Sequence, residues 1–521
     1  MTGLFIFQEV NFSAALKHHL HHLSKCRIFI YNWLMSKLKL TGDHFYKFFQ
    51  CPHWIWYDIY GEAKKRREAP PLLEMIYKGK VAQANQTLGQ HKKFEEVKPE
   101  LLRDLDEGFL ATLELMKKGK NIYHGVLMSE NWVGMPDLLE ARPGKSDLGD
   151  WYYVVYDVKS SLDLSDEYKF QLIFYSLILE RLQGVRPKEA YVIDAEGTER
   201  AFAIDDYIDQ FHLTRQQIEK ILDGEKPAPF LKSGCKRTPW YSLCISETEG
   251  CDDVSLIYKI SQADQRRLYE VGVKTAHDMA DADVNQLQAK LEDWPFDKII
   301  RFSNQAKCLI SQEPKILRKP NFPDVAHEIY FDIESDPTRD IDYLLGFVIK
   351  SKTSPEEVKY EYFFANDKSE EPEMWRKFLD FLAGLDNFVI YHYAFYERQV
   401  FDRLALRYGA PTTLINKFKD NTIDLHLKLV DSAVLPLYFY GLKDVAGYLG
   451  YKWDNPEAGG AESVVWYNDW LDKKDLPDRQ AGDAILKKIL KYNEDDVRAT
   501  LLIKEWLSSQ KPSKHKESLD E

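Results

Sequence analysis

The sequence predicts a multidomain α/β protein, and three observations lead to this prediction. A chain of 521 residues is too long for one hydrophobic core and should divide into about two to four domains. Apolar strand-like runs alternate with amphipathic helical stretches over residues 35–253 and again over residues 321–510. Residues 254–320 lack strand signals and separate these regions. We therefore expect two α/β domains joined by a small helical linker.

The overall composition is that of an ordinary globular protein, with 44% hydrophobic and 29% charged residues. A net charge of −13 argues against a uniformly basic protein that coats nucleic acid. It is compatible with a nuclease, because nucleases concentrate carboxylates at metal sites and basic residues in a local groove. Six cysteines are too few for a disulfide framework, so we expect a reducing, cytoplasmic setting. The apolar run at residues 26–35 is too short to cross a bilayer, and no membrane association is expected.

Two segments are expected to lie outside the domains. Residues 1–34 are interpreted as an extension of doubtful structure, because the stretch that begins at Met35, MSKLKLTGDHFYKFFQCP, is typical of a domain start. Residues 511–521, KPSKHKESLDE, are polar and highly charged, so we expect a disordered tail.

The first α/β region is predicted to build a central sheet. One helix is predicted over residues 99–119, and a second, long amphipathic helix is predicted over residues 168–184. Strand-like runs are predicted at residues 122–129, 134–141, 151–161 and 189–196.

Acidic residues on two of these strands suit a metal site. Asp137 lies in GMPDLLE, and Asp157 and Lys159 lie in YDVKSS. Because side chains alternate along a strand, Asp157 and Lys159 share a face. The carboxylate could hold a metal ion, and the ammonium could polarise water or neutralise a phosphate. An exposed strand is the alternative interpretation, since D-x-K is common by chance.

The linker is predicted to contain small helices. Two of them, joined at residues 270–273, outline a helix-hairpin-helix unit whose turn at Gly272 would offer backbone amides to a phosphate. A plain helical linker fits the same pattern. Pro314, Pro320 and Pro323 mark the boundary to the next domain.

The second α/β region contains the strand YFDIESD, in which Asp332 and Glu334 share a face. Two carboxylates held side by side repel each other and favour a divalent cation between them, and hard oxygen ligands suit magnesium or manganese. The alternative is an edge strand that turns both acids toward water.

Three later features supply what a metal site on this strand would lack. Glu397 lies at the start of a helix just beyond the strand NFVIYH. Tyr492 and Asp496 are four residues apart in YNEDDVRAT, on one face of the predicted final helix. Asp424, in NTIDLHLKL, is a weaker candidate.

These motifs, in this order, resemble the DEDD exonucleases of ribonuclease H-like fold, and YFDIE, YHYAFYE and YNEDDVRAT are most similar to the YprB-type branch. The resemblance covers the last 190 residues or so. It implies a two-metal 3′–5′ exonuclease in which two Mg²⁺ or Mn²⁺ ions about 4 Å apart activate water and stabilise the leaving oxygen. The implied metal ligands are Asp332, Glu334, Glu397 and Asp496. Tyr492 would orient the attacking water.

The first region resembles the PD-(D/E)xK nucleases of the RecB family, which have a restriction-endonuclease-like fold. The family's helical Q-x-x-x-Y corresponds to Gln171 and Tyr175, and its metal ligands to Asp137 and Asp157 beside the catalytic Lys159. The sequence departs from the family in the early helix, where Ala82 and Gln83 replace a histidine and a glutamate. The resemblance leaves one metal ligand missing.

RecB-like nucleases often pin their ends together with a [4Fe–4S] cluster held by one cysteine before the nuclease core and three after it. Cys51, Cys235 and Cys244 fit that plan, with Cys251 as the fourth ligand, because Thr238 stands at the expected middle position. Buried, reduced cysteines are the alternative interpretation.

The whole chain resembles RecB-like nucleases that join a PD-(D/E)xK domain to a ribonuclease H-like exonuclease domain. The implied function is metal-dependent hydrolysis of DNA, at single strands or ends, in DNA repair; RNA stays open as a substrate. The alternative is a nucleic-acid-binding subunit whose first site has decayed and which works beside a separate helicase. Because no G-x-x-x-x-G-K-[ST] loop occurs, the chain is not itself a nucleotide-driven motor.

Overall fold

The computed structural model describes residues 38–68, 94–158, 165–193, 198–354, 356, 358–476 and 479–511. The predictions on residues 1–34, on Ala82, Gln83 and Lys159, and on residues 512–521 lie outside this part of the chain. Within it, no helix is both long and apolar enough to cross a membrane.

The chain forms two compact units, each with its own sheets. The described part of the first unit comprises residues 38–59, 94–158, 165–193 and 198–227. The second unit comprises residues 60–68 and the described residues from 228 to 511. The boundary falls where a proline-containing stretch, EKPAP, follows a helix.

The first unit contains a six-stranded sheet of order β2-β3-β6-β7-β8-β9 and a three-stranded sheet of order β1-β5-β4. Its strands are β1 (Leu40–Thr41), β2 (Glu95–Glu96), β3 (Ile122–Tyr123), β4 (Leu127–Ser129), β5 (Trp132–Gly134), β6 (Leu138–Ser146), β7 (Gly149–Val158), β8 (Glu189–Ile193) and β9 (Glu199–Ala203). Its helices are α1 (Gly42–Gln50), α2 (Pro52–Tyr60), α3 (Leu105–Met116), α4 (Asp166–Gln183) and α5 (Ile208–Leu222).

Helix α4, expected from the sequence as an amphipathic helix over residues 168–184, contributes many residues to the main hydrophobic core of this unit. Phe170, Phe174 and Ile178 are fully buried in the main hydrophobic cluster. The helix ends at Gly184, which adopts the left-handed conformation (φ 69°) that glycine tolerates as a C-cap.

One predicted strand is wrong, because the run at residues 122–129 divides between two sheets. β3 ends at Tyr123, and β4 begins only at Leu127. His124, between them, has φ 55°, which an extended strand cannot contain. The chain therefore leaves the six-stranded sheet there and enters the three-stranded one.

The second unit begins with helices and continues into a five-stranded sheet. Its helices are α6 (Tyr241–Gly250), α7 (Gln262–Glu270), α8 (Ala276–Asp281), α9 (Val284–Lys290), α10 (Phe296–Ser311), α11 (Glu371–Gly384), α12 (Tyr396–Tyr408), α13 (Thr412–Asp420), α14 (Leu425–Ser432), α15 (Leu442–Tyr448), α16 (Gly460–Lys473) and α17 (Arg479–Ser509). Its strands are β10 (Lys315–Ile316), β11 (His327–Asp336), β12 (Ile341–Ser351), β13 (Lys359–Phe364), β14 (Phe388–His392), β15 (Thr422–Asp424) and β16 (Ala433–Val434).

Helices α7 and α8 lie in the segment for which the sequence predicted a helix-hairpin-helix unit, and that assignment stays a prediction. Ser261 and Thr275 cap the two helices with their hydroxyl groups. Gly272 lies in the connection with φ 92°. Helices α9 and α10 follow in the same stretch of the chain.

The five-stranded sheet has the order β13-β12-β11-β14-β15. β12 runs antiparallel to its neighbours β11 and β13. β14 is parallel to β11, and β15 is parallel to β14. The carboxyl ends of β11, β14 and β15 consequently meet at one edge of the sheet, where ligand sites of such sheets form.

Side chains of β11 alternate between two hydrophobic clusters. Phe331 and Ile333 belong to the cluster that contains residues of α11, α12 and α16. Tyr330 belongs to the opposite cluster, to which α14, α15 and α17 contribute. Asp332 and Glu334, two and four residues further along, therefore face the side covered by α17.

Candidate metal centre

Asp332 and Glu334 on β11 and Asp496 on α17 form a carboxylate triad. One ligand oxygen from each residue lies within 4.8 Å of the other two. Glu334 and Asp496 are buried, so the edge-strand alternative with both acids in water does not hold. Among the described residues, no other group of three or more acids, histidines and cysteines converges in this way.

The final helix brings Asp496 to the strand. Helix α17 packs against β11 and β12. Tyr492, one helical turn before Asp496, is buried beside the triad. The indole Nε1–H of Trp453 donates a 2.6 Å hydrogen bond to Oδ1 of Asp496, which fixes this carboxylate. Trp453 was not among the residues predicted from the sequence.

Glu397 lies near the triad but outside its 4.8 Å group. It is buried in the first turn of α12, directly after β14. Its Oε2 lies 3.3 Å from Nδ1 of buried His392, in poor alignment for a hydrogen bond. Both Glu397 and Asp332 line one cleft, and the charge of Glu397 helps to raise the pKa of Asp332.

The electrostatics of the triad fit a divalent cation. Burial, followed by the charge of Glu334, raises the pKa of Asp332 well above its usual range. Burial and the charge of Asp496 raise the pKa of Glu334 to about 8. Burial also raises the pKa of Asp496 to about 6. Several buried oxygen ligands that resist ionisation without a counter-charge match the donor set that Mg²⁺ or Mn²⁺ prefers.

Two hydrogen bonds in series, which were not predicted from the sequence, hold Asp332 in place. The amide Nδ2–H of Asn493 donates a 2.7 Å hydrogen bond to Oδ2 of Asp332. Tyr360 in turn donates a 2.8 Å hydrogen bond to Oδ1 of Asn493. Gly346 lies opposite Asp332 across the β11–β12 pair, and a Cβ there would come within 1.7 Å of Oδ1 of Asn493. A glycine in the middle of a strand was the available signal of close approach.

Lys443 is a second residue that the sequence did not reveal. Its ammonium lies 5.3 Å from the centre of the Tyr492 ring and donates a hydrogen bond to the carbonyl of Ala458. Its charge lowers the pKa values of both Glu334 and Asp496, against the stronger effect of burial. A cation therefore borders the carboxylates.

Asp424, the weaker candidate, has a structural role. Its carboxylate accepts hydrogen bonds from the backbone N–H groups of His426 and Leu427 and so caps α14. It also accepts a hydrogen bond from the N–H of Ala394, which connects the ends of β14 and β15.

In the first unit, the structure brings several predicted residues together. Leu138 pairs with Tyr156, so Asp137 lies opposite Asp157, and the N–H of Val158 donates a 2.7 Å hydrogen bond to Asp137. On α4, the amide of Gln171 donates a 2.9 Å hydrogen bond to Tyr175. Burial, with the charges of Asp157 and Asp137, raises the pKa of Tyr175 far above its usual range. Lys159 lies beyond the described residues.

Three of the cysteines, Cys51, Cys235 and Cys244, are buried, whereas Cys251 is exposed. The hydroxyl of Thr238 donates a 2.9 Å hydrogen bond to the carbonyl of Cys235. Partial desolvation of its thiol nevertheless raises the pKa of Cys251, which disfavours its thiolate form. The cluster expected from the family resemblance stays a prediction.

The sheet, its covering helix and the buried triad define an α/β domain suited to divalent cations, an arrangement that metal-dependent hydrolases of phosphodiester bonds use. Residues 329–508 match the model of a family described as the RNase_H superfamily, so the C-terminal region carries an RNase H superfamily domain. Such a domain supports a nuclease activity with Mg²⁺ or Mn²⁺ and implies a nucleic acid substrate. No curated protein matches the chain.

Proposed function

We propose that the C-terminal domain is a 3′–5′ exonuclease that hydrolyses DNA. The single observation that carries the proposal is the buried triad of Asp332, Glu334 and Asp496, whose oxygens converge within 4.8 Å. Buried charges of one sign are costly unless an opposite charge accompanies them. A cation-dependent reaction explains why the domain keeps these buried carboxylates.

The chain's own residues would divide the work as follows. Asp332, Glu334, Asp496 and Glu397 would hold the metal ions, and the bonds from Asn493 and Trp453 keep two of these carboxylates in place. When bound, such ions supply a water of lowered pKa and charge stabilisation at the leaving oxygen.

Tyr492 remains a hydrogen-bond donor throughout the physiological pH range. Burial and the charge of Asp496 raise its pKa far above the usual value, so the phenol stays protonated. A protonated phenol next to the carboxylates can orient a water molecule toward a phosphorus atom. We therefore assign Tyr492 the positioning of the nucleophile.

The decisive test compares the full chain with the double variant Asp332→Asn, Glu334→Gln on 5′-labelled single-stranded DNA in Mn²⁺, Mg²⁺ or EDTA. We expect stepwise shortening from the 3′ end by the natural protein, no reaction in EDTA, and a loss in the variant of at least about 100-fold, which disruption of a ligand's supporting bonds alone can cause. Asp324→Asn, in an exposed acid just before β11, is the matched control. Equal cleavage by the double variant would refute the proposal.

We further propose that the first unit holds a RecB-like nuclease site. The support is the hydrogen bond from the N–H of Val158, next to Asp157, to the carboxylate of Asp137 and the hydrogen bond between Gln171 and Tyr175. The site would cut DNA internally or at flaps, with Lys159 as the catalytic cation. Lys159→Ala should abolish any cleavage that survives in the Asp332→Asn, Glu334→Gln protein. If that protein has no residual activity on flaps or single strands, the decayed-site alternative beside a separate helicase is favoured.

A further inference from the structure

A cleft of about 760 Å³ leads to the metal centre. Most of its lining residues come from residues 231–260, the segment that precedes α7, from residues 393, 394, 396 and 397, and from residues 438–442 and 444. Asp332 and Glu397 lie among its lining residues. Its volume falls within the range of about 300–1,000 Å³ typical of small-ligand sites, which suits one or a few unpaired nucleotides.

Three lysines line the cleft together with the carboxylates of Asp332, Glu397 and Asp444, so the cleft carries charges of both signs. Lys232, Lys236 and Lys259 all come from residues 231–260. Lys236 forms an ion pair with Asp444, with its Nζ 2.6 Å from Oδ1. Lys259 is exposed, and within the described part of the chain no carboxylate forms an ion pair with it. The Lys259 ammonium lies 5.5 Å from the ring centre of Tyr258, and in a protein of net charge −13 an exposed cation in a cleft that also contains Asp332 is suited to a phosphate.

The backbone holds Lys259 in place. Its φ of 67° lies in the left-handed region, which residues other than glycine, asparagine and aspartate rarely adopt. Such a conformation persists only when its surroundings impose it. The preceding Tyr258 stacks on Tyr440 with ring centroids 4.1 Å apart, and its hydroxyl lies 3.1 Å from Nε2 of His426. The segment is thereby anchored to the α14–α15 region.

Aromatic side chains provide stacking surfaces in the same cleft. Phe439 is half-buried, with the Lys236 ammonium 4.5 Å from its ring centre. Tyr396 lines the cleft, and neighbouring Phe395 is 65% exposed. Aromatic faces stack on bases irrespective of sequence, provided that the bases are not already paired and stacked in a duplex.

We propose that this cleft binds the unpaired 3′ end of a DNA strand, with Lys259 contacting a backbone phosphate and Phe439 stacking on a base. This inference rests on the proposed nuclease function and names the form of its substrate. Residues 231–260 then belong to the working exonuclease, although they precede the RNase H domain in the chain.

The first experiment measures binding of a fluorescent single-stranded oligonucleotide in EDTA by anisotropy. Phe439→Ala should weaken binding by about fivefold or more, as loss of one stacked base does. Lys259→Asn, which suits the left-handed backbone, should weaken binding and reduce the slope of log affinity against log salt by about 0.7. Lys307→Asn, on an exposed lysine of α10 outside the cleft, is the matched control.

Two results would overturn the inference: unchanged binding by both cleft variants with correct folding by circular dichroism, or a blunt duplex that binds as tightly as the single strand. A measurement of DNA cleavage in Mn²⁺ distinguishes failure of the cleft assignment from failure of the proposed nuclease function. If the natural protein shortens DNA but both cleft variants bind normally, the nuclease stands and the cleft assignment fails. If single strands bind through Lys259 and Phe439 but are never cut, the binding site stands and the nuclease function fails.

Discussion

Asn493 connects helix α17 to strand β11 through its hydrogen bond to Asp332. We expect Asn493→Ala to lower turnover by about 10- to 100-fold and to raise the Mn²⁺ concentration needed for half-maximal activity, because loss of an outer partner misorients a metal ligand. Metal titrations with steady-state kinetics measure both effects.

Asn468 offers a closely matched control for this substitution. Its amide also donates a 2.7 Å hydrogen bond to a buried aspartate of β11, Asp336, which is not part of the triad. Asn468→Ala should therefore affect stability without changing the Mn²⁺ requirement. If both alanine variants changed the metal requirement equally, the specific role of Asn493 would be wrong.

The carboxylates also predict how stability depends on pH without metal. Because burial and repulsion raise the pKa of Glu334 to about 8, the folded protein binds more protons than the unfolded chain from about pH 4 upward. The contribution of protonated Glu334 to the free energy of unfolding is therefore complete below about pH 4 and is lost as the pH rises toward 8. In EDTA, Tm should fall across this interval, whereas the Asp332→Asn, Glu334→Gln variant should show a flatter profile. A natural protein whose Tm rises from pH 5 to 8 in EDTA would contradict this expectation.

Among the individual site residues, the sequence predicted which ones lie on the same face when they are only two or four positions apart in the chain. Asp332 and Glu334 share a face because strands alternate, and Tyr492 and Asp496 share one because helices repeat every 3.6 residues. The partners of these residues could not be predicted in the same way. Trp453 and Lys443 reach the centre from loops and helices distant in sequence, and no periodicity encodes such contacts.

Helix α17 approaches strand β12 closely at Gly346. A Cβ at this position would collide with Asn493, so we expect Gly346→Ala to destabilise the fold by about 1–3 kcal/mol, as overpacking does, and to reduce activity as well. Urea unfolding measures the first effect. Gly447→Ala, in α15 where an added Cβ meets nothing within 4 Å, should instead stabilise the protein by about 0.5–1 kcal/mol.

Among elements, long amphipathic helices and buried strands were the most predictable. The expected helix at 168–184 is observed as Asp166–Gln183, because its apolar pattern extends over five turns. The run at 122–129 failed as one strand because hydrophobicity does not report a backbone that turns at His124. The local apolar sequence therefore predicted correctly that these residues are buried, but it did not predict to which sheet they belong.

On the scale of the molecule, metal bound at the triad should stabilise the second unit. If the triad binds Mn²⁺, the bound ion stabilises the folded form of this unit by about 2.7 kcal/mol when the Mn²⁺ concentration is 100 times the dissociation constant. Thermal unfolding should therefore show a transition whose midpoint temperature rises with the Mn²⁺ concentration. This rise should be absent in the Asp332→Asn, Glu334→Gln variant. A shift of equal size in that variant would place the metal elsewhere.

The sequence predicted the succession of two α/β regions, but the compact units divide near residue 227 rather than at the predicted edge of the linker. The predicted edge relied on the loss of strand signals after residue 253. Residues 228–253 contain no strand and pack within the second unit through side chains such as Lys236, which pairs with Asp444. Tertiary contacts of this kind have no signature in local composition.

The bond between Asn493 and Asp332 joins residues that are 161 positions apart, and this separation has a consequence for biosynthesis. A ribosome adds about 5–20 residues per second, so roughly 10–30 s pass between the synthesis of the first acids and that of α17. The nascent domain lacks Asp496 and Tyr492 throughout this interval. If the triad is the exonuclease site proposed above, cleavage at this site has to wait until α17 has emerged and docked, so the nascent C-terminal domain could not degrade nucleic acids near the ribosome.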